Sequence, residues 1–264
     1  MDRKEERCLD DISAIVFDLD GTLLDDVGNI SRKEIECIKD LKRQGLKIYI
    51  ATGRGEDAFG IVKDIPYDAI VLCNGMLVYY GNKLIHNNFL EYDELSDFVN
   101  FIKKIGLNIG VYKQDEYHKH RDYKVDVNGA YDCYLYDVFP PKFEKMFIEV
   151  GKDQDIREIR EKLPKQYYIT FSRDGYGFVL PKEISKYSAI EKILNKDGLQ
   201  IDYVLVFGDD ENDIELIQKS GIGIAMGNAL SDVKKVANFI TKSNNDNGVA
   251  YVLKGLQKKL NMKK

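Results

Sequence analysis

The chain has 264 residues, of which 44% are hydrophobic and 31% charged, and its formal net charge is −5. This length allows one large domain or two smaller ones with a substantial core. The acidic balance argues against nucleic-acid binding, and no apolar run approaches membrane-spanning length. The four cysteines show no CxxC spacing, which indicates neither a zinc site nor a disulfide framework. Without an apolar signal segment at the N-terminus, we expect a cytoplasmic protein, either a monomer or a homodimer.

Five short and nearly continuous apolar runs predict buried strands. A strand that is apolar on both faces is typical of a parallel sheet covered by helices on both sides. The five runs are Ile15–Phe17, Lys47–Ala51, Ala69–Cys73, Val204–Phe207 and Ile222–Met226.

Helical patterns separate several of these runs. Ser31 and Glu34 have the spacing of a capping box, and Gly45 is placed to end the helix that follows. A second helix is predicted from Ile214 to Gly221. Strands that alternate with helices through short connections indicate right-handed crossovers. The sequence therefore predicts an α/β fold with a doubly wound, Rossmann-like parallel sheet.

The alternation breaks between about Gly81 and Leu180, a segment too long for a loop inside such a fold. We predict a core formed by residues 1–80 and 182–264, with residues 81–181 inserted as an α+β cap domain. The predicted elements of the insert are strands at Tyr131–Tyr136 and Tyr167–Phe171 and helices at Leu95–Ile105 and Ile156–Leu163.

Polar residues follow four of the predicted core strands. Because ligands of open parallel sheets bind beyond the carboxyl ends of the strands, we expect these residues to meet at one site. The four clusters are Asp18-Leu-Asp20-Gly-Thr22, Thr52-Gly53-Arg54, Asn74-Gly75 and Gly208-Asp209 through Asp213.

The residue types in these clusters indicate phosphoryl chemistry. Gathered carboxylates without His or Cys favour Mg²⁺, which in turn attracts phosphate. The hydroxyl of Thr52 and the backbone beside Gly53 can hold an anion, and Lys186 can add positive charge. Of two aspartates one position apart, one can attack phosphorus while the other moves protons. The residue between them, Leu19, is predicted to point into the core.

Three of these clusters, at Asp18–Thr22, Thr52–Arg54 and Gly208–Asp213, together with Lys186 resemble the four ordered motifs of the haloacid dehalogenase superfamily. The long insert and the stretches Ala225-Met-Gly-Asn-Ala229 and Thr241-Lys-Ser-Asn are similar to its Cof-type branch, subfamily IIB, of cytoplasmic phosphatases. In that branch a glycine often follows the motif lysine, whereas Tyr187 stands here, and Lys182 is a second candidate close by.

The resemblance implies a role for each matching residue. Asp18 would be the nucleophile and Asp20 the general acid and base. Thr52 and Gly53 would hold the phosphoryl group with Asn212, and Lys186 would steady the intermediate. Mg²⁺ would be bound by Asp18, Asp209 and the backbone carbonyl of Asp20, with Asp213 supporting the metal shell. Arg54 is interpreted as a brace for its loop, and Asp210 and Glu211 as residues of the next helix.

These features predict a Mg²⁺-dependent phosphatase that hydrolyses a small phosphorylated metabolite through an aspartyl-phosphate. A sugar phosphate or a phosphorylated cofactor is the expected substrate class, and neither nucleic acid nor a membrane is an expected partner. Two alternatives stay open. A phosphomutase or phosphotransferase would use the same intermediate, and a non-catalytic sensor of a phosphorylated ligand would use the same fold.

Overall fold

The computed structural model describes residues 12–113, 139–150 and 154–262, with side chains through residue 258. The predicted strand at Tyr131–Tyr136 lies outside these residues. The strands are β1 (Ala14–Phe17), β2 (Lys47–Ala51), β3 (Ala69–Leu72), β4 (Leu77–Tyr80), β5 (Lys83–Asn87), β6 (Leu90–Glu91), β7 (Ile109–Tyr112), β8 (Lys142–Phe143), β9 (Lys145–Glu149), β10 (Tyr167–Phe171), β11 (Tyr176–Pro181), β12 (Val204–Gly208), β13 (Ile222–Ala225) and β14 (Phe239–Ile240).

The helices complete the described architecture. They are α1 (Arg32–Arg43), α2 (Ala58–Ile61), α3 (Tyr92–Lys104), α4 (Ile156–Lys162), α5 (Lys186–Asp197), α6 (Ile214–Lys219), α7 (Ser231–Val236) and α8 (Gly248–Met262). Within the described part of the chain, no helix combines the length and the apolar character needed to cross a bilayer.

The largest sheet has eight strands in the order β14-β13-β12-β1-β2-β3-β4-β5. The strands from β14 to β3 run parallel, and β4 and β5 add an antiparallel edge. All five predicted core strands lie in the parallel part, which confirms the predicted α/β fold class. The predicted division of the chain into two domains stays a prediction, and β5 extends the large sheet beyond residue 80.

Strand β1 lies inside the parallel part, between β12 and β2. Its four residues, Ala14–Phe17, are all fully buried, as this position requires. Phe17 pairs in register with Phe207 of β12 on one side and with Ile50 of β2 on the other. The rings of Phe17 and Phe207 stack with centroids 5.4 Å apart. On one side of β1 the sheet continues with β2 and β3, and on the other side with β12, β13 and β14. The crevice between β1 and β12 is therefore the topological switch point, where ligands of such sheets bind.

A second, antiparallel sheet has the order β10-β11-β9-β7, and β6 and β8 form a separate antiparallel pair. Helix α3 packs against β7 and α4. Phe98, Val99 and Ile102 of α3 are buried there, as the predicted apolar face of that helix requires. The described part of the insert is therefore α+β, as its sequence predicts.

Helix α1 begins where the sequence places its cap. The Oγ of Ser31 accepts the N–H of Glu34, and its hydroxyl donates to the Glu34 carboxylate at 3.0 Å. Gly45, with φ of +98°, follows the end of the helix. Glu34 is only 2% exposed, and burial raises the pKa of its carboxyl to about 7, partly opposed by the hydrogen bonds with Ser31.

We expect Glu34→Gln to flatten part of the pH dependence of stability. The ordinary pKa of Glu34 is 4.5, so its raised folded-state pKa of about 7 favours folding below pH 4.5. That contribution is lost as the pH rises through 7, which costs the wild type about 1 to 3 kcal/mol. Denaturant unfolding should show Glu34→Gln gaining on the wild type across this range. Glu36→Gln, on the exposed side of the same helix, is the control; equal curves for both variants would contradict the expectation.

Candidate active site

The chain turns sharply at the carboxyl end of β1 and places two aspartates in the crevice. The N–H of Asp18 donates to the carbonyl of Phe207 at 3.2 Å, which extends the β1–β12 pairing by one residue. Leu19 is fully buried in the core, as predicted. The turn closes where the N–H of Leu24 donates to the carbonyl of Leu19 at 2.8 Å. Gly21 makes this turn with φ of +75°, a conformation that other residues rarely adopt.

Lys186 joins two buried carboxylates. It is the first residue of α5, and the Ser185 hydroxyl caps the helix. The Lys186 Nζ donates to Asp18 Oδ1 at 2.6 Å and to Asp213 Oδ1 at 2.7 Å. Lys186 is 1% exposed, whereas Lys182 is on the surface. The structure therefore brings Lys186, and not Lys182, to the carboxylates.

The loop after β12 supplies the other two carboxylates. Asp213 Oδ2 accepts the backbone N–H groups of Asp209, at 2.9 Å, and Asp210, at 3.2 Å. Asp209 Oδ1 accepts the hydroxyl of Thr22 at 2.7 Å, and this links the loops after β1 and β12. Asp18, Asp209 and Asp213 are all buried, and each offers an oxygen within 4.8 Å of the others.

Burial and neighbouring charges shift the pKa values of Asp18, Asp209 and Lys186. Burial raises the pKa of Asp18 well above its usual value, and Lys186 opposes the shift. Burial, with the charge of Asp213, raises the pKa of Asp209 to about 7. Burial lowers the pKa of Lys186, but Asp18 and Asp213 outweigh it and raise the pKa overall. An additional cation bound by these oxygens would relieve the excess negative charge.

Oxygen ligands that carry excess negative charge are the set that suits a hard dication such as Mg²⁺. A second observation agrees with this fit. The side-chain Oδ1 of Asn212 is buried and finds no hydrogen-bond donor among the described residues. An acceptor in this position can receive a hydrogen bond from a metal-bound water or from a ligand hydroxyl.

Asp20 has a different partner from Asp18. The Arg54 side chain donates from Nε to Asp20 Oδ2 at 2.9 Å and from a terminal nitrogen to Asp20 Oδ1 at 2.6 Å. Arg54 is 8% exposed in its side chain, while Asp20 is 37% exposed and faces the opening of the crevice. The expected role of Arg54 as a loop brace is thus incomplete, since the guanidinium fixes the carboxylate of Asp20 in a two-point contact.

Thr52 and Asn212 line the crevice on the β2 side. Thr52 is fully buried, and its hydroxyl oxygen accepts the N–H of Arg54 at 3.1 Å. The Asn212 amide donates to Asn74 Oδ1 at 2.9 Å, which ties the loop after β12 to the loop after β3. A Cβ added to Gly53 would lie 3.2 Å from the same Asn74 oxygen. Glycine at this position therefore allows the loop after β2 to lie close to the loop after β3.

Residues of the insert contact this crevice, and the sequence did not indicate them. Lys145 at the start of β9 is buried, and its Nζ donates to the carbonyl of Gly53 at 2.9 Å. Arg173, between β10 and β11, donates to Asp209 Oδ2 at 2.7 Å. Nothing in the sequence marked these two cations, because their spacing to the core motifs carries no periodic signal.

Asp210 and Glu211 were interpreted as residues of the following helix. Asp210 agrees with this, because its Oδ1 accepts the N–H of Glu211 at 2.8 Å. Glu211 does more than that, since it accepts the N–H of Phe171 at 2.7 Å and a guanidinium N–H of Arg160 at 2.9 Å. The dense negative charge after β12 thus serves two purposes: part of it faces the crevice, and part of it holds the insert.

Comparison with known proteins agrees with this geometry. The family model for haloacid dehalogenase-like hydrolases matches residues 15–253. The 5-amino-6-(5-phospho-D-ribitylamino)uracil phosphatase YcsE of Bacillus subtilis is 28% identical, over 92% of this chain and 95% of its own. A hypothetical protein of Geobacillus kaustophilus has a similar structure, with a TM-score of 0.75 and 27% identity over 93% of this chain and 99% of that one.

A third comparison concerns the fold alone. The subclass IIB sugar phosphatase BT4131 superposes with a TM-score of 0.76 at 24% identity, over 93% of this chain and 99% of that one. The chain therefore belongs to the haloacid dehalogenase-like hydrolase family. Within that family it is a phosphatase, that is, a phosphoric monoester hydrolase.

We expect Gly21→Ala to damage the site, because the added Cβ would lie 2.4 Å from Asp209 Oδ2. Gly28→Ala is a matched control: Gly28 has φ of +83°, close to that of Gly21, but its Cβ would meet nothing within 4 Å. Both variants carry the cost of a left-handed residue, about 1 to 2 kcal/mol. Phosphatase assays should show a fall in kcat/KM of at least about 10-fold for Gly21→Ala alone, since only that variant displaces a group of the site. Equal activities would contradict this account.

Proposed function

We propose that this protein is a Mg²⁺-dependent phosphatase that hydrolyses a small phosphorylated metabolite through an aspartyl-phosphate at Asp18. The observation that carries the proposal is the buried contact of Lys186 with both Asp18 and Asp213. Burial raises the pKa of Asp18 well above its usual value, and the charge of Lys186 opposes this shift and so favours the carboxylate form. An ionised carboxylate in a dry crevice is a competent nucleophile toward phosphorus.

Asp18, Asp209 and the backbone carbonyl of Asp20 would hold Mg²⁺, and Asp213 would support its shell. When bound there, Mg²⁺ would neutralise charge on the phosphoryl oxygens. Asp213 is held for this role by the backbone N–H groups of Asp209 and Asp210. Thr22 fixes the carboxylate of Asp209 through its hydroxyl.

The proposed reaction has two chemical steps, in which Asp18 and Asp20 have different roles. In the first, an Asp18 oxygen bonds to phosphorus while the bond from phosphorus to the leaving oxygen breaks, and Asp20 gives that oxygen a proton. In the second, Asp20 takes a proton from water, whose oxygen attacks phosphorus and releases the Asp18 carboxylate with inorganic phosphate. Arg54 orients the Asp20 carboxylate for both transfers. Thr52, Gly53 and Asn212 would position the phosphoryl group.

The insert, proposed as a cap domain over residues 81–181, would close the crevice and select the leaving group. Its contacts with the core support this role. Lys145 donates to the carbonyl of Gly53, and the Glu211 carboxylate accepts hydrogen bonds from Phe171 and Arg160. Closure would exclude water from the first step. YcsE and YwtE of Bacillus subtilis are both named 5-amino-6-(5-phospho-D-ribitylamino)uracil phosphatase, after a small phosphorylated compound. We extend this to a sugar phosphate or a phosphorylated cofactor as the substrate class, acted on in the cytoplasm.

The first experiment measures phosphate release from a panel of sugar phosphates and phosphorylated cofactors, with Mg²⁺ or with a chelator. We expect the wild type to release phosphate only with Mg²⁺. Asp18→Asn should be folded and slower by about 10⁴-fold or more, because no nucleophile remains. Asp64→Asn changes an exposed aspartate and should retain full activity.

Three outcomes of this panel would contradict the proposal. Appreciable turnover by Asp18→Asn would remove Asp18 as the nucleophile. Ester cleavage in which the phosphoryl group appears on an added sugar hydroxyl, with little inorganic phosphate, would indicate a phosphotransferase. Tight binding of the esters by wild type without cleavage would instead indicate a sensor.

Asp20→Asn provides a separate prediction about the second step. With p-nitrophenyl phosphate the leaving oxygen needs little protonation, so the first step should survive in this variant. Water activation should then be slower by about 10²- to 10⁴-fold. Stopped-flow absorbance should show a burst of about one nitrophenol per enzyme followed by slow release. A uniformly slow reaction without a burst would contradict the assignment of Asp20 to the second step.

A further inference from the structure

The turn between β10 and β11, residues 172–175, brings a cation from the insert to the centre of the active site. The guanidinium of Arg173 donates to Asp209 Oδ2 at 2.7 Å. The Arg173 side chain is 40% exposed, whereas that of Asp209 is 4% exposed. A half-exposed side chain therefore reaches a buried carboxylate and retains room to change its conformation.

The backbone of this turn is held independently of the Arg173 guanidinium. The N–H of Arg173 donates to Asp210 Oδ2 at 3.0 Å, and the N–H of Phe171 donates to Glu211 Oε2 at 2.7 Å. Arg160 adds a contact with Glu211 at 2.9 Å and lies over the ring of Phe171. Because these contacts anchor the turn, the guanidinium can leave Asp209 while the turn stays in place.

A dication at Asp209 and the Arg173 guanidinium compete for the same carboxylate. Two cations on one carboxylate repel each other, so a bound metal ion weakens the ion pair between Arg173 and Asp209. Asp18 and Asp209 offer oxygens within 4.8 Å of each other. A phosphoryl group at Asp18 is therefore within reach of the Arg173 guanidinium, which contacts Asp209. Guanidinium is the side-chain group best matched to phosphate oxygens, which it binds through two parallel hydrogen bonds.

We propose that Arg173 is a phosphate-binding residue supplied by the insert. In the metal-free protein it rests on Asp209, and with the dication bound it turns to the non-bridging oxygens of the phosphate monoester. This inference rests on the proposed function, since it takes Asp209 as a metal ligand and Asp18 as the site of the phosphoryl group. It also explains why an arginine from the insert is aimed at a carboxylate of the core.

Two calorimetric titrations test the inference on the full chain without any turnover. The first measures the Kd of Mg²⁺ alone, and the second the Kd of inorganic phosphate at saturating Mg²⁺. In Arg173→Gln, Mg²⁺ should bind at least about 3-fold more tightly than in the wild type, because the guanidinium that competes for Asp209 is gone. Phosphate should bind roughly 10- to 100-fold more weakly, the value of one or two charge-assisted hydrogen bonds. Arg173→Lys should recover part of the phosphate affinity.

Arg160→Gln is the matched control, because Arg160 holds the same part of the insert through Glu211 without touching Asp209. It should leave both Kd values within about 2-fold of the wild type. An unchanged phosphate Kd in Arg173→Gln would overturn the inference and leave the proposed function intact. Weaker binding of both Mg²⁺ and phosphate would also overturn it, since a structural prop has that effect. A wild type that binds no Mg²⁺ would overturn both the metal-dependent function and the inference.

Discussion

The ion pairs of Lys186 are the interaction on which the active site depends. Asp18 and Asp213 are both buried, and each would be costly to ionise alone in that position. The Lys186 Nζ, at 2.6 Å from one and 2.7 Å from the other, allows both to carry charge in the fold. Lys186 is the first residue of α5, so the position of that helix and its cap at Ser185 determine where the positive charge of Lys186 lies. A buried pair of this kind contributes more to function than to stability.

The strand order explains why residues so distant in sequence meet. Asp18 and Asp209 end neighbouring strands, since β1 and β12 pair in parallel with Phe17 opposite Phe207. The segment 81–181, predicted to be an insert, lies in sequence between the strands β1 and β12, and its residues Lys145 and Arg173 contact the loops that follow the core strands. The contacts of Arg173 and Glu211 show that the acidic loop after β12 faces both the crevice and the insert. One loop thereby connects the carboxylates proposed to bind Mg²⁺ to the segment proposed to select substrates.

Most of the core could be predicted from the sequence, for a physical reason. Strands buried on both faces must be apolar throughout, and β2 coincides with the run Lys47–Ala51. Residues that follow such strands meet at one edge by geometry, which is why Asp18 and Asp209 could be brought together in advance. The placement of Lys186 depended on the family resemblance instead. The partners of Arg54 and Arg173 could not be predicted, because long cationic side chains choose among several carboxylates by packing alone. The edge strands β4 and β5 were also missed. The apolar run of β4 follows β3 after only a few residues, with no helical pattern between them, and β5 has mixed exposure without a continuous apolar run.

The central claim is a covalent bond between Asp18 and phosphorus, and peptide mass spectrometry of the acid-quenched enzyme tests it most directly. Wild type is mixed with p-nitrophenyl phosphate and Mg²⁺, quenched during turnover, digested at low pH and analysed for acyl-phosphates. The account predicts one phosphoryl group on the peptide that contains Asp18, absent when the chelator is added before the substrate. A phosphoryl group on another residue, or none at any aspartate while nitrophenol is being released, would contradict it.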